Sequence, residues 1–133
     1  MFECCGRQGR RESMKYVEGF VMAVPATNKE IFRKHATEAA PLFKEFGATR
    51  IVECWGDDVP DGKLTDFRGF VKAREDEVVV FSWFEYPSKE VRDAANEKMR
   101  TNPRMRTMGE QMPSDGKRRI LRRFRADPRH LSA

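Results

Sequence analysis

Large apolar side chains fall on both parities of the run from Val78 to Tyr86, so the segment reads as a strand buried on two faces. Val78, Val80, Ser82 and Phe84 point one way, and Val79, Phe81, Trp83 and Glu85 the other. Pro87 stops the strand, and Ser88 with Glu90 opens a helix by capping and by complementing its dipole. The rest of the chain is arranged around this unit. One helical layer covers one face only, so the second face calls for a partner.

Upstream, Tyr16, Glu18, Phe20, Met22 and Val24 alternate with Val17, Gly19, Val21 and Ala23 in a first strand closed by Pro25. Thr27 and Glu30 have the spacing of a capping box. Phe32, Ala36, Ala39, Phe43 and Phe46 then form one helical stripe, interrupted by Pro41 and ended at Gly47. Arg50 to Trp55 is a second strand, followed by a turn-rich loop containing Pro60-Asp61-Gly62. Phe67 to Lys72 is expected to be a short extra strand or edge segment. After the central strand, Val91, Ala94, Ala95, Lys98 and Met99 stripe a second helix, which Asn102-Pro103 stops. Met105, Met108 and Met112 suggest a further helical turn, and Arg119 to Phe124 a last, basic strand.

The resulting order, βαββαβ, is the α+β ferredoxin-like arrangement: a four-stranded antiparallel sheet with two helices on one face. Residues 14–125 are expected to make this single domain. Residues 1–13 read as a disordered or misassigned leader, and 126–133 as a basic tail. Two such sheets, packed open face to open face, would form a homodimeric α/β barrel.

Charge refines the picture. Of the net +5, residues 117–133 hold seven Lys/Arg against one Asp, and residues 1–13 three Arg against two Glu. The body between them has sixteen basic and eighteen acidic residues, so nucleic acid is an unlikely partner for its folded faces. The tail lacks the interleaved aromatics of a stacking platform and would give weak, salt-sensitive RNA contact. No apolar run is long enough to span a membrane, and no secretory leader is visible. Three cysteines without a framework spacing fit a reducing, cytoplasmic setting.

The blocks Tyr16–Val21, Glu53–Gly62, Val79–Phe84, Pro87–Asp93 and Met112–Arg118 together resemble the YbaA-like family, bacterial proteins of unknown function in the dimeric α/β-barrel superfamily. The resemblance runs from about Met14 to Arg119. It implies a ferredoxin-like protomer and a barrel-forming dimer, with no settled reaction. The superfamily includes cofactor-free monooxygenases, which makes an oxidoreductase-type activity an analogy of fold. Where the family has a glycine pair before a phenylalanine in its last strand, this chain has Arg122-Arg123-Phe124.

Strand parity supplies the candidate site. Glu53 and Trp55 share one face of their strand, and Trp83 and Glu85 share one face of theirs. Two carboxylates beside two indoles, with Asp58 at the mouth, would line a cavity for an apolar or aromatic small molecule. Burial there would raise a carboxylate pKa into a useful range. The competing role is packing: tryptophans as core or interface anchors, and glutamates paired to arginines. Asp57, Asp58, Asp61 and Gly62 fail as a calcium loop, because Val59 and Arg68 fall where ligands are required. Arg92 and Asp93, being adjacent, are each expected to find another partner. His35 reads as a boundary residue and Cys54 as a small buried one. No metal or cofactor motif is present, so neither is expected. The alternatives to a ligand-binding dimer are a structural or stress-related dimer and an RNA-associated protein acting through its tail.

Overall fold

The computed structural model describes residues 2–5 and 15–127. Its strands are β1 (Phe2–Cys5), β2 (Lys15–Pro25), β3 (Arg50–Trp55), β4 (Glu77–Tyr86) and β5 (Ile120–Ala126). Its helices are α1 (Lys29–Phe46), α2 (Phe67–Phe70), α3 (Lys89–Thr101) and α4 (Pro103–Glu110). All pairings are antiparallel, in the order β1-β3-β4-β2-β5. Strands β3-β4-β2-β5 are the ferredoxin-like sheet, with β4 interior to it. Within the expected leader, residues 2–5 add a fifth strand along β3, and the rest of the leader lies outside the described residues. Most of the expected tail, 128–133, also lies outside them.

Helices α1 and α3 pack on one face because their apolar stripes meet the even parity of β2 and β4. Leu42 and Phe46 of α1 and Ala95 of α3 close over Tyr16, Ile51, Phe84 and Tyr86. Phe84 sits at the centre, its ring 4.7 Å from that of Phe20 and 4.6 Å from that of Phe43. A second group on the same side joins Phe32 to Met22, Val24 and Val80. Gly47, at φ 133°, ends α1 where a Cβ would lie 2.7 Å from Val91 Cγ1, so only glycine lets α1 finish this close to α3.

Two local expectations are corrected, the capping box and the extended segment at Phe67, while the helical turn expected of the methionines is present. Ala26–Asn28 form a 3-10 turn, so Thr27 lies inside that turn and makes no capping box; Asn28 precedes α1 without a side-chain cap. Residues 67–70 are helical rather than extended, because Asp66 caps them by accepting from Gly69 N and also accepts from Gly62 N at 2.9 Å. Asn102 ends α3 and at once caps α4 by accepting from Arg104 N, so the methionine segment is a helix in its own right. His35 of α1 contacts α4, with Nε2 2.7 Å from Met108 O.

The segment after α2 folds back over one end of the other sheet face. There Val71 is buried against Val21, Ala23 and Val79. Arg118 staples this segment in place: it donates to both carboxylate oxygens of Glu77, at 2.7 and 2.8 Å, and to Lys72 O at 2.9 Å. These bonds hold the Glu77 carboxyl down at about 2.

Candidate ligand site on the open sheet face

Beyond the patch closed by Val71, the face opposite the helices stays open. Odd-numbered β2 residues and even-numbered β5 residues project there, with Phe81, Trp83 and Glu85 from β4. The register aligns them in cross-strand rows. Trp83 lies opposite Gly19, and Gly19 opposite Arg122. In the next row Arg50, Glu85, Val17 and Phe124 follow one another across four strands. Gly19 leaves the middle of its row without a side chain, and this gap is the floor of a groove of about 690 Å³. That volume is in the range of roughly 300–1,000 Å³ usual for small-molecule sites.

The walls are aromatic. Phe67 of α2 stands against Phe81 at 6.2 Å between centroids, and Phe81 against Trp83 at 5.9 Å. Phe67, Phe70, Phe81 and Phe124 remain 49%, 56%, 42% and 59% exposed. Four half-bare phenylalanines around one groove form the kind of apolar patch that soluble monomers rarely leave uncovered.

One carboxylate is buried in this apolar setting, and its partners explain how. Glu85 accepts from Trp83 Nε1 at 3.0 Å, while Lys15 Nζ and Arg50 Nη1 each lie 3.4 Å from one of its oxygens. Arg122 also lines the groove. It donates to the carbonyl of Leu121 at 2.7 Å, and among the described residues no carboxylate pairs with it.

The sheet divides the five residues singled out from sequence. Trp83 and Glu85 are in the groove. Glu53 and Trp55 project from the opposite face, because Glu53 pairs in register with Ser82 and Trp55 with Val80. Trp55 packs at 6.1 Å from the ring of Phe32, with Lys29 Nζ 5.8 Å above it. Glu53 accepts from Ser82 Oγ at 2.8 Å, and burial pushes its carboxyl up to about 7 against that bond. Asp58 is exposed in the loop after β3 and does not line the groove. Two carboxylates and two indoles therefore do not converge. Lys15, Gly19, Arg50 and Arg122 take their places. Odd parity already grouped Gly19 with Val17 and Val21, and it extends to Lys15 because β2 begins one residue earlier than expected. The pairing that adds Arg50 and Arg122 is a cross-strand register no local pattern encodes.

A second polar cluster lies beneath the helices. Arg92 at the start of α3 is buried with its Nε 3.3 Å from Glu18 Oε2, and Arg123 Nε approaches the same oxygen at 3.4 Å. As expected, each of the adjacent pair has another partner, Glu18 for Arg92 and Lys89 for Asp93 at 2.7 Å, but Arg92 Nη1 also reaches Asp93 Oδ1 at 2.7 Å, since the long guanidinium folds back over its own turn. Burial raises the Glu18 carboxyl above its usual range, and Arg92 opposes it. Arg92 and Arg125 lie 5.5 and 5.6 Å from the ring of Tyr16. This cluster ties α3 to β2 and β5. Among the described residues no group of three or more His, Cys, Asp or Glu gathers to hold a metal, and no helix is long and apolar enough to cross a membrane.

An antiparallel ferredoxin-like sheet, helices on one side and an aromatic groove on the other, defines the class: an α+β protein whose second sheet face is available for contact. Comparison with known proteins agrees. The chain is similar to a dimeric ferredoxin-like protein from an uncultured marine organism, at a TM-score of 0.51 and 12% identity over 86% of this chain and 94% of that one. It is also similar to an uncharacterized NIPSNAP domain protein from Burkholderia xenovorans, at a TM-score of 0.53 and 17% identity over 89% and 98%. In sequence it is 69% identical over 111 residues to the uncharacterized protein YbaA of Escherichia coli K12, covering 84% of this chain and 95% of that one. The YbaA of Shigella flexneri matches to the same extent. The model of the family of unknown function DUF1428 matches residues 15–116, and the chain belongs to that family.

Proposed function

We propose that this protein works as a homodimer in which two open sheet faces cover each other and enclose a site for a small apolar or aromatic molecule. The observation that carries this reading is the groove over Gly19, with its half-exposed phenylalanines and partly buried Trp83. Burying such rings yields on the order of 25 cal/mol per Å² of apolar surface removed from water. A second copy offers the same surface, as an isologous two-fold contact requires. The described lining residues supply contact, stacking and charge, so binding is the activity this groove supports. Trp83 and Glu85 belong to that site. Glu53, Trp55 and Asp58 do not, and act in folding or at the surface.

The test is light scattering on the full chain combined with titration of Trp83 fluorescence by naphthalene derivatives in a Trp55→Phe background. A particle of twice 15.5 kDa whose Trp83 emission responds to the ligand supports the reading. A 15.5 kDa particle with fully wetted Trp83 overturns it.

A further inference from the structure

We infer that the molecule taken by this groove is a planar aromatic anion, its ring over Gly19 against Trp83 and its acidic group on Arg122. The inference rests on the binding role proposed above and adds the chemical class of the ligand.

The charges of the groove lead to it. Its acid, Glu85, is already engaged by Lys15, Arg50 and the Trp83 indole. Arg122, exposed at the groove edge, donates to a carbonyl of its own strand, and once a second sheet face covers the groove and removes its water, an anionic acceptor is its strongest available partner. A second copy of the same face does not provide one, because it brings another Arg122 and another Glu85 already engaged. Among the described residues the facing copy thus supplies no free carboxylate, and a bound anion is the acceptor assigned here to Arg122.

Register sets the shape of that ligand. Trp83, Gly19 and Arg122 are successive members of one row across β4, β2 and β5. Neighbouring strands lie about 4.8 Å apart, so the backbone positions of Trp83 and Arg122 are separated by roughly 10 Å over a middle position that carries no side chain of its own. An aromatic ring with one acidic substituent spans that interval: the ring fills the space above Gly19, edge or face to the indole, and the anion meets the guanidinium. Phe124, whose ring lies 3.5 Å from where a Gly19 Cβ would be, closes the flank. Arg122 acts here as a binding residue that selects an acid over its neutral analogue, since an amide offers the guanidinium one neutral carbonyl acceptor in place of a charged, bidentate carboxylate.

The experiment compares 1-naphthoate with 1-naphthamide, molecules of matched shape differing in the charge. Binding to the full chain is measured by calorimetry for wild type, Arg122→Met and Arg122→Lys, and by Trp83 quenching for the same three in the Trp55→Phe background. Naphthoate should bind wild type at least about tenfold more tightly than the amide. Arg122→Met should abolish this preference, lowering naphthoate affinity to that of the amide in the same variant, and Arg122→Lys should restore part of it. Equal affinity of wild type for acid and amide, no binding of either, or a preference that survives Arg122→Met would each overturn the inference. Should Arg122→Met not fold, wild type decides: the preference must shrink as salt rises, and a salt-independent one overturns the inference. Light scattering of the same samples separates the two readings. A monomer refutes the dimer, while the acid–amide comparison still judges the ligand class.

Discussion

Trp83 donates its indole N–H to Glu85 Oε2 at 3.0 Å, between two residues whose alternation along β4 places them on the same face. The bond orients the indole along the strand and gives a buried carboxylate one neutral donor besides Lys15 and Arg50. The groove thereby holds a fixed acceptor at one end, flanked by Lys15 and Arg50.

Replacing Glu85 should therefore separate two contributions. Glu85→Gln keeps an acceptor for the indole and removes the charge shared by Lys15 and Arg50. Glu85→Leu removes both. Urea unfolding should show Leu costing about 1–3 kcal/mol, with Gln intermediate between it and wild type. Gln and Leu costing the same would show that the indole bond contributes nothing to stability.

Arg92 offers a harsher test. It is buried with Glu18, and removing one partner of a buried pair strands the other charge. Arg92→Met should destabilise by roughly 3–5 kcal/mol, toward the lower end because Arg123 still lies 3.4 Å from Glu18. Adding Glu18→Gln to Arg92→Met should recover part of the loss, a coupling that thermal unfolding of the two single variants and the double variant measures directly. Strict additivity would mean that the two side chains do not interact.

These two sites also show what the residue pattern revealed and what it withheld. Element order, the double-sided β4 and the helix begun by Ser88 followed from alternation, capping and proline alone, because each is a local rule. Trp83 and Glu85 were legible as a pair for the same reason. Glu53 and Trp55 were legible as companions of each other, but not as residents of the opposite face: that depends on Val52, not Glu53, pairing with Trp83. A one-residue change of register would have put all four together. Asp66 is the local signal that distinguishes α2 from the expected strand, an N-cap residue three positions before Gly69.

Glu53 makes the opposite face sensitive to pH. Its folded-state carboxyl is raised by burial from 4.5 to about 7. Between those values the unfolded chain ionises while the folded one holds its proton, so stability declines as pH rises. The favourable contribution is complete below about 4.5, falls through the interval and is lost above about 7. At 1.36 kcal/mol per pKa unit the loss is about 3 kcal/mol. Glu53→Gln, which keeps the Ser82 contact without titrating, should flatten the melting temperature against pH over this interval. An unchanged slope in the Gln variant would place the titration elsewhere, Glu18 being the other carboxyl raised by burial among the described residues.

Gly19 tests the groove without touching any charge. A Cβ added there meets only the Phe124 ring, at 3.5 and 4.0 Å, which is ordinary contact. The backbone therefore admits a side chain, and Gly19→Ala should melt within about 1 kcal/mol of wild type. Gly19→Leu carries three further carbons into the space between Trp83 and Arg122, and its only escape is to push the exposed Phe124 aside. It should leave the far-ultraviolet spectrum and the unfolding slope as they are, and weaken naphthoate binding by at least about tenfold. If the leucine variant bound naphthoate as tightly as wild type, the ligand would lie somewhere other than over Gly19, and the row from Trp83 to Arg122 would be only a feature of the sheet.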